Sequence, residues 1–281
     1  MVFESIVNPE KAESHPLRMF LLGMFYSTIG VLLSLWIFYQ WSSLVMVFLT
    51  VLASVPLVYN TLRFEEEKDK EIYDEKLLLK QHGRALFFLL MLFIGFVIGF
   101  SLWYLVLPES TVKHAFNAQI TTIEAINSPV GRVISLSTFM KIFSNNMRVL
   151  FFCVFFAFFY GAGAIFILAW NASIIGTALG NFIRQKLAEL ASNLGFVSAG
   201  AYLHVFSLGL LRYMTHGIFE ILGYFIGGLA GGIISVAVIR HDFGTKEFNH
   251  IIADSLDLVI LAILILFIAA LIEVYITPLI V

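Results

Sequence analysis

The chain is poor in what soluble proteins rely on. Only 13% of its 281 residues are charged, against about a quarter in an ordinary globular domain. Cysteine occurs once, as Cys153 inside an apolar run, which excludes an internal disulfide and leaves the redox compartment open. The net charge of −2 carries no basic excess, so nucleic acid is not expected as a partner. Catalytic signatures are also missing. There is no HExxH, no phosphate loop and no dinucleotide fingerprint. "EIYDEK" contains Tyr73-Asp74 without a GxGD partner, and "GFVSAG" lacks the glycine pattern of a nucleophile elbow. His204, His216 and Glu220 make a weak metal set, because two ligands from one helix plus a distant histidine more often pair structurally. The expectation is therefore a protein that is not an enzyme, with no cofactor and no metal.

What is present is apolar. Hydrophobic residues make up 60% of the chain, with 29 phenylalanines. This composition implies an all-α polytopic transmembrane helix bundle, whose first partner is the lipid bilayer. About 20 apolar residues cross a bilayer. By that measure spans are expected near 18–39, 43–62, 85–107, 147–170, 216–239 and 257–279. The shorter apolar pieces between 171 and 214 are expected as a re-entrant or interfacial helix pair, giving about six spans in all. Residues 1–17 are polar and the apolar run after them is too long for the core of a signal peptide, so no cleaved leader is expected.

Lysine and arginine set the orientation. Six of the 17 lie in 63–84: Arg63, Lys68, Lys70, Lys76, Lys80 and Arg84. That segment is expected in the cytoplasm, with the N-terminus, "RQK" (Arg184, Lys186) and the C-terminus on the same side. The chain then reads as a multi-pass protein of the plasma membrane with a cytoplasmic N-terminus. Signs alternate in 63–84, which suits a solvated helical hairpin. It serves either as a plain connector or as a handle for a protein partner. On the other side, 109–127 and 131–146 are expected as amphipathic helices on the membrane surface.

Residues 200–239 form an apolar run of about 60 Å if helical throughout, twice the hydrocarbon thickness. A break is expected at Thr215-His216-Gly217. At about 100° per residue Arg212, His216, Glu220, Gly223, Gly227 and Gly231 share one quadrant. Glycines four apart let another helix approach closely, so this face is expected to pack on protein, with Arg212, His216 and Glu220 pointing inward. Ionisable groups inside a membrane are functional by default, while a register-fixing clasp remains the alternative. Gly95–Gly99 and Gly176–Gly180 are ordinary GxxxG packing pairs. Asn145 and Asn146 stand before the fourth span, where capping is the plain reading. Asn171 stands after it and converges with them only if the chain breaks, at Gly161-Ala162-Gly163. Glu273 either snorkels to the interface or pairs with Arg184 or Arg212.

The order "FSNN…FFYGAGAIFILAWNASIIG…THGIFEILGYFIGGLAGGIIS" resembles the stage II sporulation protein M family of integral membrane proteins. The matching positions are Asn145, Asn146, Gly161, Gly163, Asn171, Gly176, His216, Gly217 and Glu220, then Gly227, Gly228, Gly231 and Gly232, with Gly223 on the same helix. The resemblance covers roughly 130–240. It leaves 1–107 unexplained as an added three-span module, followed by extracytoplasmic helices (108–146), and implies a family-like membrane core (147–281). It also implies a membrane scaffold as one function, favoured by the charged hairpin. A transporter or permease moving a small solute or proton past His216 and Glu220 is the other, favoured by glycine-rich spans and re-entrant pieces. Association between copies stays open.

Overall fold

The structure, a computed structural model, describes residues 16–71, 75–127, 136–160, 163–194, 199–239 and 243–277. The side chains within 66–81 and those of Arg212 and His216 lie outside the described residues. Every extended element is a helix, as expected where an apolar solvent leaves each backbone group to be satisfied within its own segment. The order is α1 (Pro16–Ile37), a 3₁₀ turn (Tyr39–Trp41), α2 (Ser42–Glu71), α3 (Glu75–Val106), α4 (Glu109–Ala115), α5 (Asn117–Asn127), α6 (Leu136–Tyr160), α7 (Ala164–Leu194), α8 (Ala199–Ile239) and α9 (Lys246–Leu271), which runs into a π turn (Ile272–Ile276).

Seven of the described helices are long and apolar enough to cross a membrane: α1, α2, α3, α6, α7, α8 and α9. The expectation of six spans with a re-entrant pair gives way at two points. The apolar window 147–170 straddles a reversal, with α6 ending at Tyr160 and α7 beginning at Ala164. Gly163 lies against the backbone of Phe156, where an added Cβ would sit 2.8 Å from the carbonyl carbon. The turn is therefore closed by the lack of a side chain. Second, α8 runs through Thr215, His216 and Gly217 without a break. Its 41 residues reach about 61 Å. The excess length is absorbed because α8 leaves the bundle alongside α7, sharing a small core of Leu179, Ile183 and Val205.

Seven crossings among the described helices leave the start of α1 and the end of α9 at opposite ends of the bundle. The end of α9 and the end of α7 bearing Arg184 and Lys186 lie away from the base of the 63–84 hairpin, where one shared side was expected. Contacts agree on direction. Gly23 meets Gly95 and Gly99 meets Ser27, so α1 and α3 run parallel, while Gly227 meets Leu150 and Gly231 meets Val154, so α6 and α8 do too. A methyl on Gly95 would lie 2.9 Å from the Gly23 Cα, which fixes a backbone-to-backbone crossing. Gly176 sits equally close on Val97, and Gly180 on Tyr104.

α8 is the central helix, with 83% of its apolar window buried, against 28% for α1 and α9. Its glycines serve four neighbours: Gly223 meets Leu266 of α9, Gly227 and Gly231 meet α6, Gly228 meets Ala164 of α7, and Gly232 meets Leu62 of α2. Gly161 lies outside the described residues. One continuous core joins Met19 in α1 to Leu266 in α9. Buried hydroxyls in α2 close on their own helix: Thr50 donates to Met46, Ser54 to Thr50 and Thr61 to Leu57. The short α4 and α5 bury Val112, Ala115 and Phe116 against the bundle, and 136–146 forms the first turns of α6.

Candidate functional site: a polar network between three spans

Asn146 sits ten residues inside α6, so its side chain has no orphan amides to cap and turns into the bundle, where it is buried. Its Nδ2 donates to Glu220 Oε1 at 2.8 Å, and the Tyr224 hydroxyl donates to its Oδ1 at 3.0 Å. Both partners stand on α8 one turn apart, so a single amide is held at both ends by one helix face. The Glu273 carboxyl, from the π turn that closes α9, stands beside that of Glu220. The π turn matters because a widened turn re-aims a side chain away from the helical face it would otherwise follow.

Apolar material closes the network on the α6–α9 side. Phe139 packs edge-on against Phe267 at 5.3 Å between ring centres, Phe143 at 5.7 Å, and Ala270 and Val274 flank Glu273. In such surroundings a polar group left without a partner is costly, so these four side chains hold one another in place.

The sequence-derived set separates. Asn146 and Glu220 meet. Asn145 does not join them, being exposed on the outer side of α6 beside Lys141 and Arg148. Neither asparagine caps a helix. Asn171 donates to the Ile167 carbonyl of its own helix at 2.8 Å. Arg212 and His216 belong to α8, but where their side chains go lies outside the described residues. Glu273 neither snorkels nor pairs with Arg184, whose Nη2 donates to the carbonyls of Leu105 and Leu107 at the end of α3. Arg184 thus satisfies orphan acceptors of that helix end, and its guanidinium stands 5.3 Å from the centre of the Tyr104 ring.

Tyr224 escaped the sequence reading, although its place four residues after Glu220 was a usable signal. So did a second buried pair. Glu65 and His82 meet at 2.6 Å across the base of the 63–84 hairpin, with side chains 0% and 2% exposed. The hairpin therefore starts from a closed polar clasp where only a solvated segment was expected.

Seven apolar helices among the described residues, one of them the glycine-lined central span, define a polytopic α-helical integral membrane protein. Residues 84–278 match the family described as Stage II sporulation protein M. The chain belongs to that family, and the matched region takes in α3 from Arg84 onward and every described element after it. No curated protein and no solved structure matches the chain.

Proposed function

We propose that the chain is a membrane scaffold or assembly subunit with no reaction of its own, and that the Asn146–Glu220–Tyr224–Glu273 network is the clasp that fixes its central helices. The observation behind this reading is the contrast between a tight centre and two projecting hairpins. The centre offers no slack along α8, since added side chains at Gly227, Gly228, Gly231 or Gly232 would all strike α6, α7 or α2. From this core α2 and α3 extend on one face, closed by Glu65 and His82, while α7 and α8 extend from the other.

The orientation that goes with it has the N-terminus and the 63–84 hairpin in the cytoplasm of a cell with this protein in its plasma membrane. Ten lysines and arginines lie on that side (11, 18, 63, 68, 70, 76, 80, 84, 240 and 246) and six on the other (113, 132, 141, 184, 186 and 212), with Arg148 inside α6. That is the sense of the positive-inside bias. A protein partner on the cytoplasmic hairpin is the testable core of the proposal. Replacing 67–80 by a short Gly/Ser linker spares Glu65 and His82. It should remove a co-purifying partner while leaving the thermal unfolding of the spans unchanged; an unaltered set of partners overturns the scaffold reading.

One observation favours a second reading. Two carboxyl groups, Glu220 and Glu273, stand side by side between α8 and the end of α9, the kind of pair on which a proton-coupled carrier would hold a proton. In liposomes, Glu220→Gln should then abolish flux that the wild-type protein supports. A wild-type protein without flux removes this reading.

A further inference from the structure

The end of the bundle opposite the 63–84 hairpin carries a cavity unrelated to the buried network. It has a volume of about 450 Å3 and lies between the end of α3, the α4–α5 pair and α7. Its apolar lining comes from Val112, Ile120, Ile123 and the Tyr104 ring, and four charged groups surround it: Glu109, Lys113, Glu124 and Arg184.

Its depth is marked independently. Trp36, Tyr39 and Trp41, at the α1–α2 turn on the same end, are 80%, 50% and 66% exposed. Such aromatics collect at the level of lipid headgroups. α4 is tied to this belt, because His114 Nε2 lies 2.6 Å from the Tyr39 carbonyl oxygen and the two rings stack at 4.2 Å. The cavity therefore opens where headgroups lie.

The charges sort into satisfied and unsatisfied. Glu109 and Lys113 pair at 2.6 Å and neutralise each other. Arg184 spends only Nη2, on the two α3 carbonyls. A guanidinium has five N–H donors, so those on Nε and Nη1 have no acceptor among the described residues. The Glu124 carboxylate likewise has no partner among them and is exposed. The cavity thus offers one open anion site and one open cation site above an apolar floor, with its four charges summing to zero.

We propose that this cavity binds the headgroup of a zwitterionic aminophospholipid, its phosphate on Arg184 and its primary ammonium on Glu124. Arginine donors suit phosphate oxygens geometrically. A primary ammonium donates hydrogen bonds to a carboxylate, whereas a quaternary one favours an aromatic cage, and here the Tyr104 face is already taken by Arg184. A purely anionic headgroup would leave Glu124 facing like charge.

The test is native mass spectrometry of the full chain in detergent, titrated separately with phosphatidylethanolamine, phosphatidylcholine and phosphatidylglycerol. One phosphatidylethanolamine should bind about tenfold more tightly than either other lipid, the size expected of one charge-assisted contact. Glu124→Gln, on an exposed side chain, should erase the preference over phosphatidylglycerol. Arg184→Lys, which keeps the charge and loses the fork, should weaken all three, with a melting curve to show that the fold is intact. Equal binding of the three lipids by the wild-type protein overturns the proposal, as does an unchanged preference in Glu124→Gln. Competition by soluble phosphoethanolamine as effective as by the lipid would also overturn it, since the occupant would then be a free phosphoamine.

Discussion

The two halves of α8 form one unbroken helix and meet opposite fates. From Gly217 to Ile239 the helix is the buried axis of the bundle. From Ala199 to His216 it runs beside α7 alone, with Tyr202, Leu203, Leu208 and Leu211 each 44% exposed or more. Hydropathy separates the halves, since only Gly217–Ile239 is apolar enough to cross a membrane and the outer half contains His204, Arg212 and His216, and side-chain size separates them again. The buried half spaces glycines so that four helices reach its backbone, and the outer half carries large side chains that keep neighbours at a distance. In a membrane, where lipid is as apolar as leucine, packing geometry decides which helix sits at the centre.

The largest expected effect breaks the inner half. A Cβ at Gly231 would stand 2.6 Å from the Val154 carbonyl oxygen, which is backbone and cannot swing aside. Gly231→Leu should therefore separate α6 from α8 and cost about 3 kcal/mol or more, the upper range for overpacking. In size-exclusion and thermal-shift measurements little folded protein should survive. Leu203→Ala, in the outer half, removes a side chain 68% exposed. It should change stability by no more than about 0.5 kcal/mol. Similar losses for both variants would sink the contrast between the halves.

The next effect is intermediate. Asn146→Leu fits the space and stays apolar, but strips Glu220 of its amide donor and Tyr224 of its acceptor. Leaving such groups unsatisfied costs about 1–3 kcal/mol, read as a lower midpoint of thermal unfolding. A neutral outcome would mean that water replaces the amide, and the network would not be a clasp. Pairing Asn146→Leu with Tyr224→Phe separates the contributions. If the three groups form one unit, the double variant should lose less than the sum of the single ones.

Much of this was legible before any coordinates. The all-helical class follows from composition, and the glycine face of α8 from its four-residue spacing. The expectation that Glu220 lies among protein contacts rests on the cost of an isolated carboxylate in lipid. The residues that escaped share a cause. The reversal between α6 and α7 is hidden because "FFYGAGAIFIL" is apolar throughout, so a hydropathy window cannot see where one helix ends and the next begins. Missing that turn miscounted the spans and put Glu273 and Arg184 on the wrong face. The Glu273 contact itself needs the π turn, which no local pattern announces. Asn145 and Asn146 differ only in helical phase, and phase is unreadable until the start of α6 at Leu136 is known.

The smallest effect tests the exposed rim against the buried network. Glu109 and Lys113 pair at 2.6 Å but are 73% and 71% exposed. The hydrogen bond from Lys113 holds the Glu109 carboxyl below its ordinary value, and the same bond holds the Lys113 ammonium above its own. A carboxyl lowered in the folded state contributes stability above its unfolded value, and this is lost as pH falls through the folded one. A raised ammonium contributes below its unfolded value, and this is lost as pH rises through the folded one. The pair is therefore intact across the neutral range and released at both extremes. Solvent screens it there, so its contribution is slight. Comparing the melting temperatures of wild type and Glu109→Gln from about pH 3 to about pH 8 should show curves that coincide in acid and part by a small margin near neutrality. A gap as wide as that of Asn146→Leu would mean that the rim, and not the buried amide, governs how this end of the bundle is held.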